Sequence, residues 1–186
     1  MNENIKIEDN FLPQETFTEI QNIFLCGIQT QNENIFIPWR YVDTIDTEND
    51  VDKFQFIHVF YMLCSPAGQS LMVIKPILDI INPVSLFRIK ANLLTKTSTI
   101  IENNFHVDMG FQSEEKGNQW TTSIFYLNTN NGYTEFQDGR IAMENTKVES
   151  VANRMVTFPT NLRHRGTSCT DEKTRVVINF NYYDMI

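Results

Sequence analysis

Two of the chain's three histidines stand where they could share a metal ion with a carboxylate. His106 and Asp108 form His-x-Asp in NFHVDMGF, residues 104–111, which reads as a strand or the end of one. Residues i and i+2 of a strand point to the same side, so imidazole and carboxylate would face one point in space. His164 follows much later, in TNLRHRGTS, just past the strand RMVTFP. Such a gap is natural where strands distant in sequence are neighbours across a barrel. Two imidazoles and one carboxylate can hold ferrous iron on one face and leave its other positions open to reactants.

A cation stands close behind. Arg175 lies near the start of the strand TRVVINFNYY, residues 174–183. Arg175, Val177, Asn179 and Asn181 share one face of it, and Val176, Ile178 and Phe180 share the other. One apolar and one polar face suit a sheet that packs on one side and lines a polar cavity on the other, although a solvent-facing polar side would read the same way.

The elements that must position these residues change character near Pro83. Before it lie two helical stretches. Phe17, Ile20 and Phe24 recur at helical spacing after Pro13, and Leu71, Ile74, Leu78 and Ile81 do the same before Pro83. Pro76 inside the second run predicts a kink or a break into two short helices. Between them FQFIHVFYML, residues 54–63, is apolar, and its periodicity does not decide its type. After Pro83 come short strands. VSLFRIKANLL, residues 84–94, puts Phe87, Ile89, Ala91 and Leu93 on one face and Arg88, Lys90 and Asn92 on the other. TTSIFYLN, residues 121–128, TNNGYTEF with an Asn131-Gly132 turn, RMVTFP and TRVVINFNYY follow. Six or more short strands in about a hundred residues predict a β-sandwich or barrel, with the helices covering one outer face.

Composition bounds the rest. The 186 residues are 41% hydrophobic and include 14 Phe, enough for one domain with a real core. A formal charge of −8 argues against an extended nucleic-acid track and against anionic membranes. No run nears the length of a membrane span, and MNENIKIEDNF is unlike a secretory signal. Cys26, Cys64 and Cys169 are odd in number and widely spaced, which predicts neither a disulfide framework nor a structural zinc site. A reducing cytoplasm is the expected location.

HVD at 106–108, YLN at 126–128, GYTEF at 132–136, NRMVTFP at 153–159, His164 and Arg175 together resemble the Fe(II)/2-oxoglutarate-dependent dioxygenases. The branch they resemble is the prolyl-4-hydroxylase-like one, including small enzymes of phage and marine microbes. The resemblance covers residues 84–183, and IEDNFLPQETFTEIQNIF is similar to that branch's opening strand and helix. It implies a mainly β (α+β) chain with N-terminal helices and a double-stranded β-helix (jelly-roll) core: one domain over residues 1–186, with 1–83 as helical support and 84–183 as the core. It implies that His106, Asp108 and His164 bind Fe(II), that 2-oxoglutarate and O₂ are co-substrates, and that Arg175 pairs with the distal carboxylate of 2-oxoglutarate. A guanidinium suits that task, being always charged and able to grip a carboxylate with two parallel bonds. Tyr126 would donate its hydroxyl to the same carboxylate; from its own residues it reads equally as a core aromatic. The implied reaction hydroxylates a C–H bond of a peptidyl (prolyl) or small-molecule substrate and yields succinate and CO₂. LLTKTSTIIENNF departs from the aromatic residue and Gly-rich turn that many relatives carry before His-x-Asp.

Two other readings compete: a cupin-like metal enzyme without 2-oxoglutarate, and a non-catalytic binding barrel. His58 reads as an ordinary core or surface histidine, Asn92 as a surface residue, and Arg163 and Arg165 as pointing away from the metal. The charged loop over residues 112–119, with Glu114, Glu115 and Lys116, reads as solvated. Trp120 either packs or stands at the pocket mouth.

Overall fold

Numbered along the chain, the strands are β1 (Lys6–Glu8), β2 (Arg40–Val42), β3 (Gln55–Met62), β4 (Ser65–Pro66), β5 (Ser85–Thr95), β6 (Trp120–Tyr126), β7 (Tyr133–Phe136), β8 (Thr146–Glu149), β9 (Arg154–Pro159), β10 (His164–Gly166) and β11 (Thr174–Tyr183). Seven of them form the large antiparallel sheet in the order β1-β9-β6-β11-β5-β3-β2, and β4 pairs with β3 as its eighth member. The small sheet runs β10-β7-β8. The structure is a computed structural model, and it describes residues 4–26, 36–45, 52–110, 114–137 and 145–184.

Alternation on the central strands decides what each face meets. Val176, Ile178 and Phe180 of β11, with Ile89 and Ala91 of β5 and Phe125 of β6, face the helices. There they pack on Phe17, Ile20 and Phe24 of α1 (Gln14–Leu25) and Ile77 of α2 (Lys75–Ile81). Each such side chain contributes about 1.5–3 kcal/mol on full burial. The other face looks across at the small sheet. Ile124, Tyr126, Val156, Phe158 and Val177 meet Phe136 and Val148 there, closing one end of the space between the sheets. Most of the residues that remain on this inner face are polar, and with Leu94 they line the site. The two-sheet jelly roll implied by the resemblance is present.

Pro76 sits in the first turn of α2, where its missing N–H is no loss, and a 3₁₀ segment (Gln69–Ile74) precedes it. The second helical stretch is therefore the broken pair that Pro76 predicts. Asn82, left-handed at φ 47°, ends it.

Three expectations change. Residues before Pro83 are more than helical support, because FQFIHVFYML forms β3, which pairs with β5. NFHVDMGF is not a strand; Phe111 lies outside the described residues. Its contact with the neighbouring segment is an isolated bridge, His106 to His164, and Glu102 bridges Thr167. These two bridges differ in register by one residue, so no continuous ladder can join them. Asn131-Gly132 is not a hairpin turn either. β6 and β7 belong to different sheets, so the segment between them is a crossover.

Candidate active site

The bridge that replaces the expected strand brings the ligand candidates together. His106 and His164 exchange backbone hydrogen bonds of 2.9 Å in both directions, so their side chains leave from directly opposed positions. His106, Asp108 and His164 each offer an atom within 4.8 Å of the others. The two imidazoles are oriented alike: Nδ1 of His164 lies 3.0 Å from the Leu162 carbonyl, and Nδ1 of His106 lies 3.1 Å from the Asn104 carbonyl. A carbonyl can only accept, so in each ring Nδ1 carries the proton and Nε2 keeps its lone pair for a metal.

Asp108 is held at both oxygens. Arg88 donates to Oδ1 at 3.0 Å, Asn181 donates to Oδ2 at 3.0 Å, and Nε2 of His164 stands 3.9 Å from Oδ2. Burial pushes the Asp108 pKa up, but His164, Arg88 and the Asn181 bond outweigh it, and the carboxyl stays below its usual range. Burial also pulls the His164 pKa down, against the attraction of Asp108, which favours the neutral imidazole that a metal needs.

A cavity of about 260 Å³ runs from this group along the inner face to Arg175. Arg175 is 4% exposed. Its Nε donates to Ser150 Oγ at 2.8 Å and its Nη2 to Thr134 Oγ1 at 3.1 Å. No carboxylate among the described residues pairs with it. Burial lowers its pKa, but a guanidinium stays charged. Two further buried groups, Oδ1 of Asn92 and Oδ1 of Asn179, have no hydrogen-bond partner among the described residues, and both residues line the same cavity. Gly132 makes the Arg175 conformation possible, since a Cβ there would sit 2.7 Å from Arg175 Cδ and 2.7 Å from the Ser168 carbonyl.

Tyr126 lies beside Arg175, its ring centroid 5.7 Å from the guanidinium carbon, but it is fully buried and not among the residues lining the cavity. Its hydroxyl donates to Thr134 Oγ1 at 2.7 Å. Thr134 accepts from both Tyr126 and Arg175, so its own O–H remains for a group in the cavity. Asn92 is on the cavity wall rather than the surface. Arg88 was legible only as part of a polar face, and its bond to Asp108 had no local signal. His58 is tied to the Pro38 carbonyl at 3.0 Å and Ser70 Oγ at 2.8 Å, away from the site. Arg165 points outward to Glu102 and Glu135, and Arg163 to the Phe105 carbonyl. Glu114–Gly117 is a single helical turn, α3, and residues 112–113 lie outside the described residues. Trp120 packs between Phe87 and Tyr183, with centroids at 6.0 and 5.9 Å.

Residues 99–183 match the family model of the 2OG-Fe(II) oxygenase superfamily. No curated protein matches the chain. Among solved structures, the chain is similar to a prolyl hydroxylase from Trichoplax adhaerens, in complex with a peptide fragment of the hypoxia inducible factor oxygen degradation domain. That likeness has a TM-score of 0.62 and 14% identity, and covers 98% of this chain and 84% of the other. It is similar to the viral collagen prolyl hydroxylase of Paramecium Bursaria Chlorella virus-1 in its 2OG complex (TM-score 0.58, 12% identity, 99% and 98% covered). It is also similar to SnoN, an alpha ketoglutarate dependent epimerase from nogalamycin biosynthesis (TM-score 0.63, 14% identity, 97% and 78% covered). At these identities the solved structures speak for the fold. Enzymes of the matched family use Fe(II), 2-oxoglutarate and O₂. The matched segment contains His106, Asp108, His164 and Arg175 together, and over that segment the chain is similar to the 2OG-Fe(II) oxygenase superfamily.

Proposed function

We propose that His106, Asp108 and His164 hold Fe(II), that Arg175 and Thr134 hold the distal carboxylate of 2-oxoglutarate, and that residues 1–186 act as one unit hydroxylating a peptidyl or small-molecule substrate. The observation that carries the reading is Arg175: a buried guanidinium, without a carboxylate partner among the described residues, at one end of a cavity whose other end is the His-Asp-His group. A buried cation left in that state calls for an anionic ligand. Asn92 and Asn179 offer amide groups along the way between the two ends. The donor set, two imidazoles and one carboxylate, is the one suited to ferrous iron.

With both bound, the iron supplies the oxidising chemistry, as 2-oxoglutarate and O₂ are converted to succinate and CO₂. The chain's own part is placement. The Leu162 and Asn104 carbonyls hold the two imidazoles in the ligating tautomer. Arg175 fixes the far end of the co-substrate, and Thr134 donates the hydroxyl hydrogen bond that the resemblance assigned to Tyr126; Tyr126 acts through Thr134. Between the sheets, water is excluded by the apolar end around Tyr126, Phe136 and Val177.

Support for an apolar, ring-bearing substrate side chain comes from beside Asp108. The register of β5 against β11 leaves Phe87 as an extra residue between Leu86 and Arg88, and such a bulge re-aims a side chain. Phe87 thereby joins Trp120 and Tyr183 in an aromatic row next to the residues that grip Asp108. A reducing cytoplasm fits the free thiols of Cys26, Cys64 and Cys169. Among the described residues, no helix is long and apolar enough to cross a membrane.

Anaerobic titration with Fe(II) and 2-oxoglutarate tests the reading. A weak visible charge-transfer band is expected, weakened by Arg175→Ala and removed by His106→Ala. Metal binding without 2-oxoglutarate binding would favour the cupin-like alternative, and wild-type protein that binds neither would sink the proposal.

A further inference from the structure

The Asp108 carboxylate sits in a closed ring of hydrogen bonds. Arg88 Nη2 donates to Asp108 Oδ1 at 3.0 Å, and Arg88 Nε donates to Asn181 Oδ1 at 2.9 Å. Asn181 Nδ2 then donates to Asp108 Oδ2 at 3.0 Å, and it is also 3.0 Å from Thr122 Oγ1. Thr122 is tied to Thr160 at 2.6 Å. Asn181 and Thr122 are fully buried, and the Asp108 side chain is 5% exposed. The three members of the ring come from β5, β11 and the His-x-Asp segment, so none can turn without breaking a bond to another.

The ring treats the two oxygens unequally. Oδ1 carries the charge-assisted bond from a cation, which draws electron density from it. Oδ2 carries a neutral amide N–H and is the oxygen that faces Nε2 of His164. We propose that Arg88 and Asn181 are positioning residues that make Asp108 offer a divalent metal one oxygen, Oδ2, rather than two. This rests on the reading of His106, Asp108 and His164 as the metal site. Arg88 acts on the metal only through Asp108: its other bond in the ring is spent on holding Asn181 in the orientation that serves Oδ2. The pairing also keeps the metal-free carboxylate neutralised, so the pocket is pre-formed before metal arrives.

Co²⁺ added to metal-free protein is the probe, read by its affinity and by its visible absorption, which reports coordination number and ligand geometry. Arg88→Met removes the cation and frees Oδ1 at similar side-chain volume. Its Co²⁺ affinity should fall about 10–100-fold, the usual cost of losing a residue that orients a ligand, and its absorption should change in position and intensity. Arg88→Lys keeps the charge but not the planar fork and should lie between the two. Asn181→Ser tests the other arm if Arg88→Met fails to fold, and should shift the spectrum in the same way. Affinities within twofold of wild type and superimposable spectra in the variants that fold would overturn the positioning role and leave the metal site standing. Wild-type protein that takes up no Co²⁺ would overturn both.

Discussion

Replacing Arg175 by Met separates what the guanidinium costs the empty protein from what it does for a ligand. In the structure the cation is 4% exposed, with two neutral hydroxyls as partners and no opposing carboxylate among the described residues. Exchanging buried charges for well-packed apolar residues is often neutral or stabilising by about 1–4 kcal/mol. Part of that gain is lost again, because Ser150 and Thr134 each lose a donor, at about 1 kcal/mol apiece. Arg175→Met should therefore leave the metal-free, co-substrate-free protein within about 2 kcal/mol of wild type in either direction. For a domain of this size that is a melting-temperature change of at most about 8 °C. Binding should fall by more. Removing one partner of a buried charge pair costs about 2–5 kcal/mol, which is about 30-fold to several-thousand-fold in 2-oxoglutarate affinity. The assay is differential scanning fluorimetry with and without 2-oxoglutarate, in anaerobic Fe(II) or with Co²⁺ as the metal. Wild type should gain about 2.7 kcal/mol at a hundred times its dissociation constant, and the variant less than about 1 kcal/mol at that concentration. A variant that keeps the ligand-induced shift would refute the assignment of Arg175. A variant that melts far below wild type without ligand would refute the claim that its charge awaits an anion.

Gly132→Ala should act on the same site from behind: the new methyl would meet Arg175 Cδ and the Ser168 backbone at 2.7 Å, so about 1–3 kcal/mol of stability and at least tenfold in 2-oxoglutarate affinity should go together, measured by urea melts and titration. Chelation should leave the protein folded by circular dichroism, because Asp108 keeps its bonds to Arg88 and Asn181 without metal. Metal-free protein should lose stability as pH falls below 6.5. Burial holds the folded-state pKa of His164 below that ordinary value, so the unfolded chain takes up the proton first. A second loss should begin below 3.8, where Asp108, depressed in the folded state, is protonated more readily when unfolded. Urea midpoints from pH 8 to 5 should show the first loss in wild type, and an undiminished slope in His164→Asn would contradict it. Asn153→Ala should cost about 3–4 kcal/mol, since the side chain bonds the Leu12 N–H and carbonyl at 2.9 and 2.8 Å and the backbone is left-handed at φ 62°. Asn153→Gly should restore only the backbone part.

What could be read from the chain, and what could not, divides by the range of the interaction concerned. β9 and β11 begin and end where alternation and Pro159 place them, because a strand with one apolar face declares its own pattern. The polar face of β11 was legible for the same reason, and it does line the cavity. NFHVDMGF misled because its conformation depends on its register against the segment around His164, which no local pattern encodes. The site's supporting bonds are longer in range still. Arg88 and Asp108 are 20 residues apart, Asn181 and Asp108 73, and Arg175 and Thr134 41. A hydroxyl or a guanidinium carries no mark of the partner it will meet across two sheets. The same limit explains Tyr126: the resemblance put its hydroxyl on the co-substrate carboxylate, whereas the acceptor it meets, Thr134, is set by where β7 runs in the small sheet. Local alternation thus places a residue on the inner face, but only the crossing of distant strands decides whether it touches ligand or holds the residue that does. Thr134 and Arg88 show this most plainly, since Thr134 meets Arg175 across the two sheets at 3.1 Å and Arg88 meets Asn181 of the neighbouring strand at 2.9 Å.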